Sequence, residues 1–146
     1  AQLDSRCRMR GEALGLAVEA RQSNSEAELV GWIQEAHSAA CGIVLNAAAY
    51  THTSIAIHDA LKLAGVPVIE VHLSNIHARE PWRATSVTAE AAKGIVAGLG
   101  AKMGSFGRSI GEPEMGQTCR GRSEGKRRHP LRTVHRGELR RVVRAA

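Results

Sequence analysis

Aromatic residues, cysteines and long apolar runs are all scarce in this chain. Its 146 residues include two tryptophans, one tyrosine and one phenylalanine. The three cysteines, at 7, 41 and 119, form no C-x-x-C pair, which argues against a disulfide framework and a structural zinc site. No apolar run reaches about 18 residues, so a membrane-spanning helix is excluded, and the first residues lack the pattern of a signal peptide. We expect a reduced, cytoplasmic protein that uses no metal or cofactor and binds no membrane.

Positive charge is concentrated in the last third of the chain. The net charge of +6 divides into −2 for residues 1–100 and +8 for residues 101–146. Residues 101–146 have few large apolar side chains to offset the entropy of ordering. We predict an α/β domain at 1–100 and a basic, largely disordered tail at 101–146, in which only Gly137 to Ala146 could form a short basic helix. No Phe, Trp or Tyr interleaves with the tail's charges beyond Arg108, so nucleic acid is an unlikely partner.

Short apolar runs alternate with helical patterns over the first hundred residues. The runs predict strands at 16–21, 42–45, 68–73 and 94–99. The first helical pattern follows Ser23-Asn24-Ser25, which offers a Ser or Asn cap, and the second follows Thr53 or Ser54, either of which can cap it. Alternating strands and helices with short links are typical of a parallel sheet covered on both faces. We predict an α/β fold of the flavodoxin-like kind.

Polar residues follow two of these strands. The segment NAAAYTHTS (46–54) follows one, and HLSNIHAREPWR (72–83) follows the other. Ligands of open parallel sheets bind beyond the carboxyl ends of the strands. Turn N–H groups and hydroxyls favour an anion there, and Arg79 and Arg83 add fixed positive charge.

Glu70 and His72 are two residues apart on the second of these strands, so their side chains share a face. A carboxylate beside an imidazole orients it and keeps it available as a proton donor. The pattern therefore predicts a pocket for a small polyhydroxylated acid, with His72 as an acid. The structural alternatives are a satisfied core histidine for His72, a backbone-bonded helix-start residue for His52 and a solvated carboxylate for Asp59. Arg79 has one as well, an ion pair with Glu80 or Glu90.

Two of the motifs also carry a family resemblance. The segment NAAAYTHTSIAIHDAL (46–61) resembles the N-P-G-A-Y-T-H-T-S-x-A-x-x-D-A-L segment of type II 3-dehydroquinate dehydratases. The segment EVHLSNIHARE (70–80) with the nearby Arg83 resembles that family's second signature. The segment RQSN (21–24) matches the family as well. The resemblance covers roughly residues 3–100.

This resemblance implies an activity and a partner. The family eliminates water from 3-dehydroquinate through an enolate, giving 3-dehydroshikimate in the shikimate pathway without a metal or a Schiff base. By position, His72 would protonate the departing hydroxyl and Glu70 would polarise His72. Asp59 would reach into a neighbouring subunit's site, since the family forms dodecamers built from trimers.

The resemblance also implies residues that hold the substrate. Asn46 and the backbone of Leu73 and Ser74 would bind its carboxylate. His52 and Arg83 would bind its ring hydroxyls.

The chain departs from the family pattern in several places. Ala47 and Ala48 replace a Pro-Gly pair, and Pro81-Trp82 precede Arg83. The family's first strand, its mobile arginine and its proton-abstracting tyrosine have no counterpart here, because Tyr50 belongs to the second motif. The missing strand would lie between the strands at 16–21 and 42–45 and leave both with unpaired backbone groups. The abrupt change after residue 100 is what a shifted reading frame would produce.

Two classes of function follow from these observations. The first is a dehydratase of the shikimate pathway. The second is a catalytically inactive fragment or pseudoenzyme whose basic tail binds polyanions non-specifically.

Overall fold

One sheet of five parallel strands organises the protein. A computed structural model describes residues 2–100 and 140–145. Four 3-10 turns lie at Ala48–His52, Ile76–Ala78, Pro81–Ala84 and Thr88–Ala91. In chain order the helices and strands are α1 Gln2–Ala13, β1 Leu16–Arg21, α2 Glu26–Ala39, β2 Gly42–Leu45, α3 Ile55–Leu63, β3 Val68–His72, β4 Gly94–Ala97 and β5 Arg140–Ala145.

The strand order is β1-β5-β2-β3-β4, and every neighbouring pair is parallel. The four strands predicted within the first hundred residues are confirmed, with β3 and β4 ending slightly earlier than expected. The α/β class with a parallel sheet is confirmed as well.

The C-terminal segment corrects two of the predictions. Residues 140–145 form a strand, so the helix expected at Gly137 to Ala146 is wrong over that range. Strand β5 pairs with β1 from Leu16↔Arg140 to Arg21↔Ala145 and with β2 as far as Leu45↔Ala145. The prediction that β1 and β2 lack a partner between them is therefore also wrong. The disorder expected for the rest of the tail, at 101–139, lies outside the described residues.

Helices α2 and α3, which precede the strands β2 and β3, each begin at a serine side chain. The N–H of Glu28 donates to Ser25 Oγ at 3.4 Å at the start of α2, and that of Ile57 donates to Ser54 Oγ at 2.9 Å at the start of α3. Ser54, not Thr53, is thus the cap of α3. Helices α2 and α3 also pack against each other. The Nδ1 of His37 on α2 bonds the carbonyl of Ala64 just beyond α3 at 2.9 Å, which ties the two helices together.

The apolar core lies between α2, α3 and the strands β2 and β3. Within the residues whose burial the structure describes, every fully buried large apolar side chain lies between Leu29 and Ile76. By contrast, Gly11 is the one buried residue of α1, and all six residues of β1 are half-buried. The core therefore supports the middle of the chain, where the polar strand ends lie. No helix in the described ranges is both long and apolar enough to cross a membrane.

Candidate active site

A buried carboxylate and a buried imidazole meet at the carboxyl end of β3. His72 Nε2 lies 2.7 Å from Glu70 Oε1, and the two residues are 4% and 1% exposed. Both point to the same side of the strand because side chains two apart in a strand share a face. An ionised carboxylate can only accept a hydrogen bond, so Nε2 carries the hydrogen and Nδ1 is the nitrogen left for other chemistry.

Two hydroxyls complete the surroundings of Glu70. Ser86 Oγ lies 2.8 Å from Oε1 and 3.1 Å from Oε2 of Glu70, and Thr88 Oγ1 donates to Oε2. Burial alone would raise the pKa of Glu70, but the hydrogen bonds from His72, Thr88 and Ser86 together lower it below its ordinary value. Glu70 is thus held as a carboxylate although it is almost fully enclosed.

The neighbouring strand β2 ends in a turn built on Asn46. Leu45 pairs with Glu70 in the sheet, so Asn46 follows directly at the same edge. Asn46 Oδ1 accepts the N–H of Ala48 at 3.2 Å. Because the side-chain oxygen is occupied in this way, the amide NH₂ remains as the donor of Asn46. The turn also places Ala48 at a φ of 51°, in the left-handed region.

Trp82 connects His52 and Arg83. Its ring meets the His52 ring edge to face with centroids 5.5 Å apart, and the Arg83 guanidinium carbon lies 4.1 Å from the Trp82 centroid. His52 Nδ1 bonds the Thr85 carbonyl at 2.7 Å. A carbonyl only accepts, so the hydrogen is on Nδ1, and Nε2 of a neutral His52 is an acceptor for a hydroxyl.

Glu80 holds the arginines of this loop. Arg83 Nε donates to Glu80 Oε2 at 2.7 Å, and Arg79 Nε lies 3.5 Å from the same oxygen. The pairing of Arg79 with Glu80 is one of the two structural alternatives expected for it. The pKa of Glu80 is lowered by a hydrogen bond from its own backbone N–H and by Arg83.

The chain leaving β3 is held by hydrogen bonds to the carbonyls of His72 and Leu73. The N–H of Gly98 donates to the His72 carbonyl at 3.2 Å, and that of Gly100 donates to the Leu73 carbonyl at 2.9 Å. Leu73 and Ser74 are exposed. The start of this segment is therefore held by hydrogen bonds to the residues just after β4, while its side chains at 73 and 74 are exposed.

Asp59 stands apart from these groups. It lies on α3, its side chain is 67% exposed, and its Oδ1 bonds Nδ1 of the adjacent His58 at 3.0 Å. The structure thus brings Glu70 and His72 into direct contact, sets Asn46 beside them, and links His52 to Arg83. It does not join Asp59 to this group within one chain.

Comparison with known families decides where this arrangement belongs. The sequence model of the family described as "Dehydroquinase class II" matches residues 1–108. The chain belongs to the class II dehydroquinase family. The family match extends a little beyond the boundary predicted at residue 100.

Similar proteins carry dehydroquinase names. The chain is 56% identical over 105 residues to "3-dehydroquinate dehydratase 2" of Ralstonia nicotianae, covering 68% of each chain. It is 57% identical over 95 residues to a 3-dehydroquinate dehydratase of Mesorhizobium japonicum, covering 64% of this chain and 66% of the relative. The chain thus spans about two thirds of the length of these relatives.

Solved structures of the family share the fold. The type II dehydroquinase of Propionibacterium acnes matches with a TM-score of 0.70 and 44% identity over 74% of both chains. That of Butyrivibrio crossotus matches with a TM-score of 0.71 and 37% identity, covering 75% of this chain and 77% of the other.

Sequence reasoning missed three residues that contact the candidate site residues. Ser86 and Thr88 reach Glu70 from a segment 16 and 18 residues further along the chain. Trp82 was noted only as a departure from the family pattern, yet it contacts both His52 and Arg83. A period-two pattern identifies neighbours within one strand, but it carries no signal for a loop that folds back onto that strand. Within the described ranges, no three His, Cys, Asp or Glu side chains cluster closely enough to hold a metal ion.

Proposed function

We propose that this protein is a 3-dehydroquinate dehydratase, which eliminates water from 3-dehydroquinate through an enolate to give 3-dehydroshikimate. The observation that carries the proposal is the buried Glu70–His72 pair at the end of β3, in a chain of the dehydroquinase family. Glu70 and His72 are the groups that we assign to the acid step.

In the acid step, protonated His72 gives its Nδ1 proton to the departing hydroxyl. Glu70 accepts from Nε2 at 2.7 Å and so fixes which nitrogen faces the reaction. The lowered pKa of Glu70 favours this role, because an ionised carboxylate stabilises the imidazolium form of His72 before the proton is transferred.

Substrate binding is assigned to the two strand ends. The NH₂ of Asn46 and the backbone N–H groups of Leu73 and Ser74, two exposed residues, are assigned as donors for the substrate carboxylate. His52 Nε2 and the guanidinium of Arg83 are an acceptor and a donor for ring hydroxyls, and Trp82 holds these two side chains near each other.

The proton-abstracting step needs a base that we assign to none of the described residues. Tyr50, the single tyrosine of the sequence, donates its hydroxyl to the Asn24 carbonyl at 2.9 Å. Binding and turnover therefore have to be measured separately.

Turnover is tested with 3-dehydroquinate, whose dehydration produces a conjugated enone with rising ultraviolet absorbance. We expect the wild-type chain to give this signal and His72→Ala to lower kcat by about two orders of magnitude or more, the contribution of a positioned acid. Full activity of His72→Ala would disprove the assignment of His72.

Binding is tested by tryptophan fluorescence in a Trp32→Phe background, where Trp82 is the one remaining tryptophan. Trp82 is 56% exposed and touches both ring-binding residues, so we expect 3-dehydroquinate to change its emission. Saturable binding without turnover would indicate a binding protein that lacks the base. Absence of both signals would contradict the proposed function.

Assembly into a homo-oligomer, a dodecamer of trimers, belongs to the same proposal, as does a cytoplasmic location. Ile55, Asp59 and Leu63 follow one another at four-residue intervals and share a face of α3. Ile55 and Leu63 are 67% and 75% exposed, which is unusual for large apolar side chains on both sides of a site residue. This face supports the role of Asp59 in a neighbouring subunit's site.

We expect Leu63→Glu to shift the mass measured by light scattering towards smaller species, because it puts charge into the apolar face of α3. Lys62→Glu is the matched control, since Lys62 is exposed on the same helix but about 100° away around it. An unchanged mass for Leu63→Glu would contradict assembly through this face.

A further inference from the structure

The carboxylate of Glu70 has two hydroxyl groups beside it in addition to the His72 imidazole. Its Oε1 receives His72 Nε2 at 2.7 Å and Ser86 Oγ at 2.8 Å, and its Oε2 receives Thr88 Oγ1. Each oxygen thus has a hydroxyl of its own close by. The plane of the carboxylate is set from both sides, with Oε1 directed at His72.

The two hydroxyls differ in what else they do. Ser86 Oγ also accepts the N–H of Ala89 at 3.0 Å and so helps to begin the 3-10 turn at Thr88–Ala91. Thr88 is fully buried, and its Oγ1 lies 3.4 Å from Ser86 Oγ. The short contact of Thr88 is the one to Glu70, so its hydroxyl is directed at the carboxylate.

Ser86 and Thr88 lie outside both motifs that carry the resemblance, so those motifs assign them no role. We propose that Thr88, assisted by Ser86, is a positioning residue that keeps Glu70 ionised and turned towards His72 and thereby fixes the Nε2–H form of the His72 ring. The positioning of Glu70 by Thr88 is argued from the hydrogen bonds alone. The contribution of Thr88 to catalysis rests on the proposed function.

The Thr88 hydroxyl affects the His72 ring through the protonation of Glu70. Donors to the charged form of a carboxylic acid lower its pKa, so removal of the Thr88 hydroxyl raises the pKa of Glu70. A protonated Glu70 is a donor as well as an acceptor and no longer demands a hydrogen on Nε2. His72 then populates the other tautomer, whose Nδ1 is protonated when the ring is neutral.

The test compares two buried threonines. Thr88→Val removes the hydroxyl and keeps the shape. Thr51→Val is the matched control, because Thr51 is also fully buried and its Oγ1 has no hydrogen-bond partner in the part of the chain that the structure describes. Thr88→Ser restores a hydroxyl and serves as the rescue.

The first readout is nuclear magnetic resonance of the full-length chain without substrate. Carbon-13 at Glu70 Cδ reports its titration, and nitrogen-15 in the ring reports the tautomer of His72. We expect Thr88→Val to move the Glu70 titration to higher pH and to mix the two tautomers. Wild type, Thr51→Val and Thr88→Ser should keep the Nε2–H form. Wild-type behaviour of Thr88→Val in both signals would overturn the proposal.

Ser86→Ala provides the second variant if Thr88→Val does not fold. It removes the donor at Oε1 and should shift the Glu70 titration in the same direction. A wild-type titration and tautomer for Ser86→Ala would then overturn the proposal in the same way.

The second readout is the pH profile of dehydration. We expect Thr88→Val to lower kcat roughly tenfold with little change in KM, the factor implied by loss of one hydrogen bond to a charged group. The acid limb of the kcat profile should also move to higher pH. If the wild-type chain does not turn over 3-dehydroquinate, the proposed function fails, while the two resonance signals still decide whether Thr88 positions Glu70.

Discussion

The two edges of the sheet belong to regions that are built in different ways. Towards one edge, residues 25–100 (the site region) contain α2, β2, α3, β3 and β4, and they bury the large apolar side chains of the core. Towards the other edge, α1, β1 and β5 (the outer region) have one buried residue in α1 and six half-buried ones in β1. In the site region, consecutive strands are joined through nearby helices or turns. In the outer region, β1 is hydrogen-bonded in the sheet to a strand more than a hundred residues away.

This difference shows which parts of the protein depend on distant sequence. The proposed catalytic pair, the Asn46 turn and the Trp82 contacts all belong to the site region. Its side-chain links to the outer region include those of Arg21, whose Nη1 lies 2.6 Å from Glu35 Oε2 and whose guanidinium carbon lies 5.6 Å from the Trp32 ring centroid. The site region therefore supplies the geometry of the site, and β5 connects β1 to the rest of the sheet.

A proline in β5 should separate the two regions most strongly. Val142 pairs with Val18 of β1 and with Gly42 of β2, and proline removes a backbone donor from the sheet. We expect Val142→Pro to lower the free energy of unfolding by about 3 kcal/mol, the upper range for a buried backbone group left unpaired. Hydrogen exchange should show β1 amides losing protection while those of β3 keep it. Equal loss in both strands would mean that the two regions unfold as one unit.

A pair of glycine substitutions compares the two regions directly. A Cβ on Gly11 of α1 would lie 2.3 Å from Val18 Cγ2, whereas one on Gly31 of α2 would meet nothing within 4 Å. We expect Gly11→Ala to destabilise the protein by about 2 kcal/mol through overpacking. Gly31→Ala should instead stabilise it by about 0.5–1 kcal/mol, since alanine suits a helix interior better. Denaturant titration measures both, and the same sign for the two would contradict the packing described for α1 on β1.

The smallest expected effect concerns strain within the site region. Ala48 has a φ of 51°, a conformation that suits glycine better than alanine. We expect Ala48→Gly to raise the free energy of unfolding by about 0.5–1 kcal/mol. Ala49→Gly, at the next exposed position of the same turn, should lower it by a similar amount. Thermal or denaturant unfolding of the two variants checks the difference, and a destabilised Ala48→Gly would argue against this backbone conformation.

What the sequence could predict follows the same division. The strands of the first hundred residues are short apolar runs between helical patterns, so local periodicity was enough to identify them. The contact of Glu70 with His72 follows from the two-residue period of a strand. Strand β5 has the sequence RRVVRA, whereas central strands of parallel sheets usually read as continuous apolar runs. Strand β5 is placed by its backbone pairing with β1 and β2, and the local sequence of β5 carries no signal for that pairing.

The contacts of Ser86 and Thr88 with Glu70 could not be predicted from the sequence for a related reason. Ser86 and Thr88 lie on a segment that contains two short 3-10 turns and no long periodic element. Hydroxyl residues in such segments are common and usually bond nearby backbone. Only the folded chain shows that these two turn towards a carboxylate.

The position of β5 also bears on how the protein forms during synthesis. Every other described strand leaves the ribosome before β5, and domains fold from the N-terminus as the chain is made. The site region can form from its own local contacts, whereas β1 stays without its partner β5 until residues 140–145 have been made. Sequence-distant pairing of this kind slows folding. The nascent chain therefore carries β1 unpaired while the more than one hundred residues between β1 and β5 are made, which gives a holding chaperone a strand to bind and exposes the chain to association with other nascent chains.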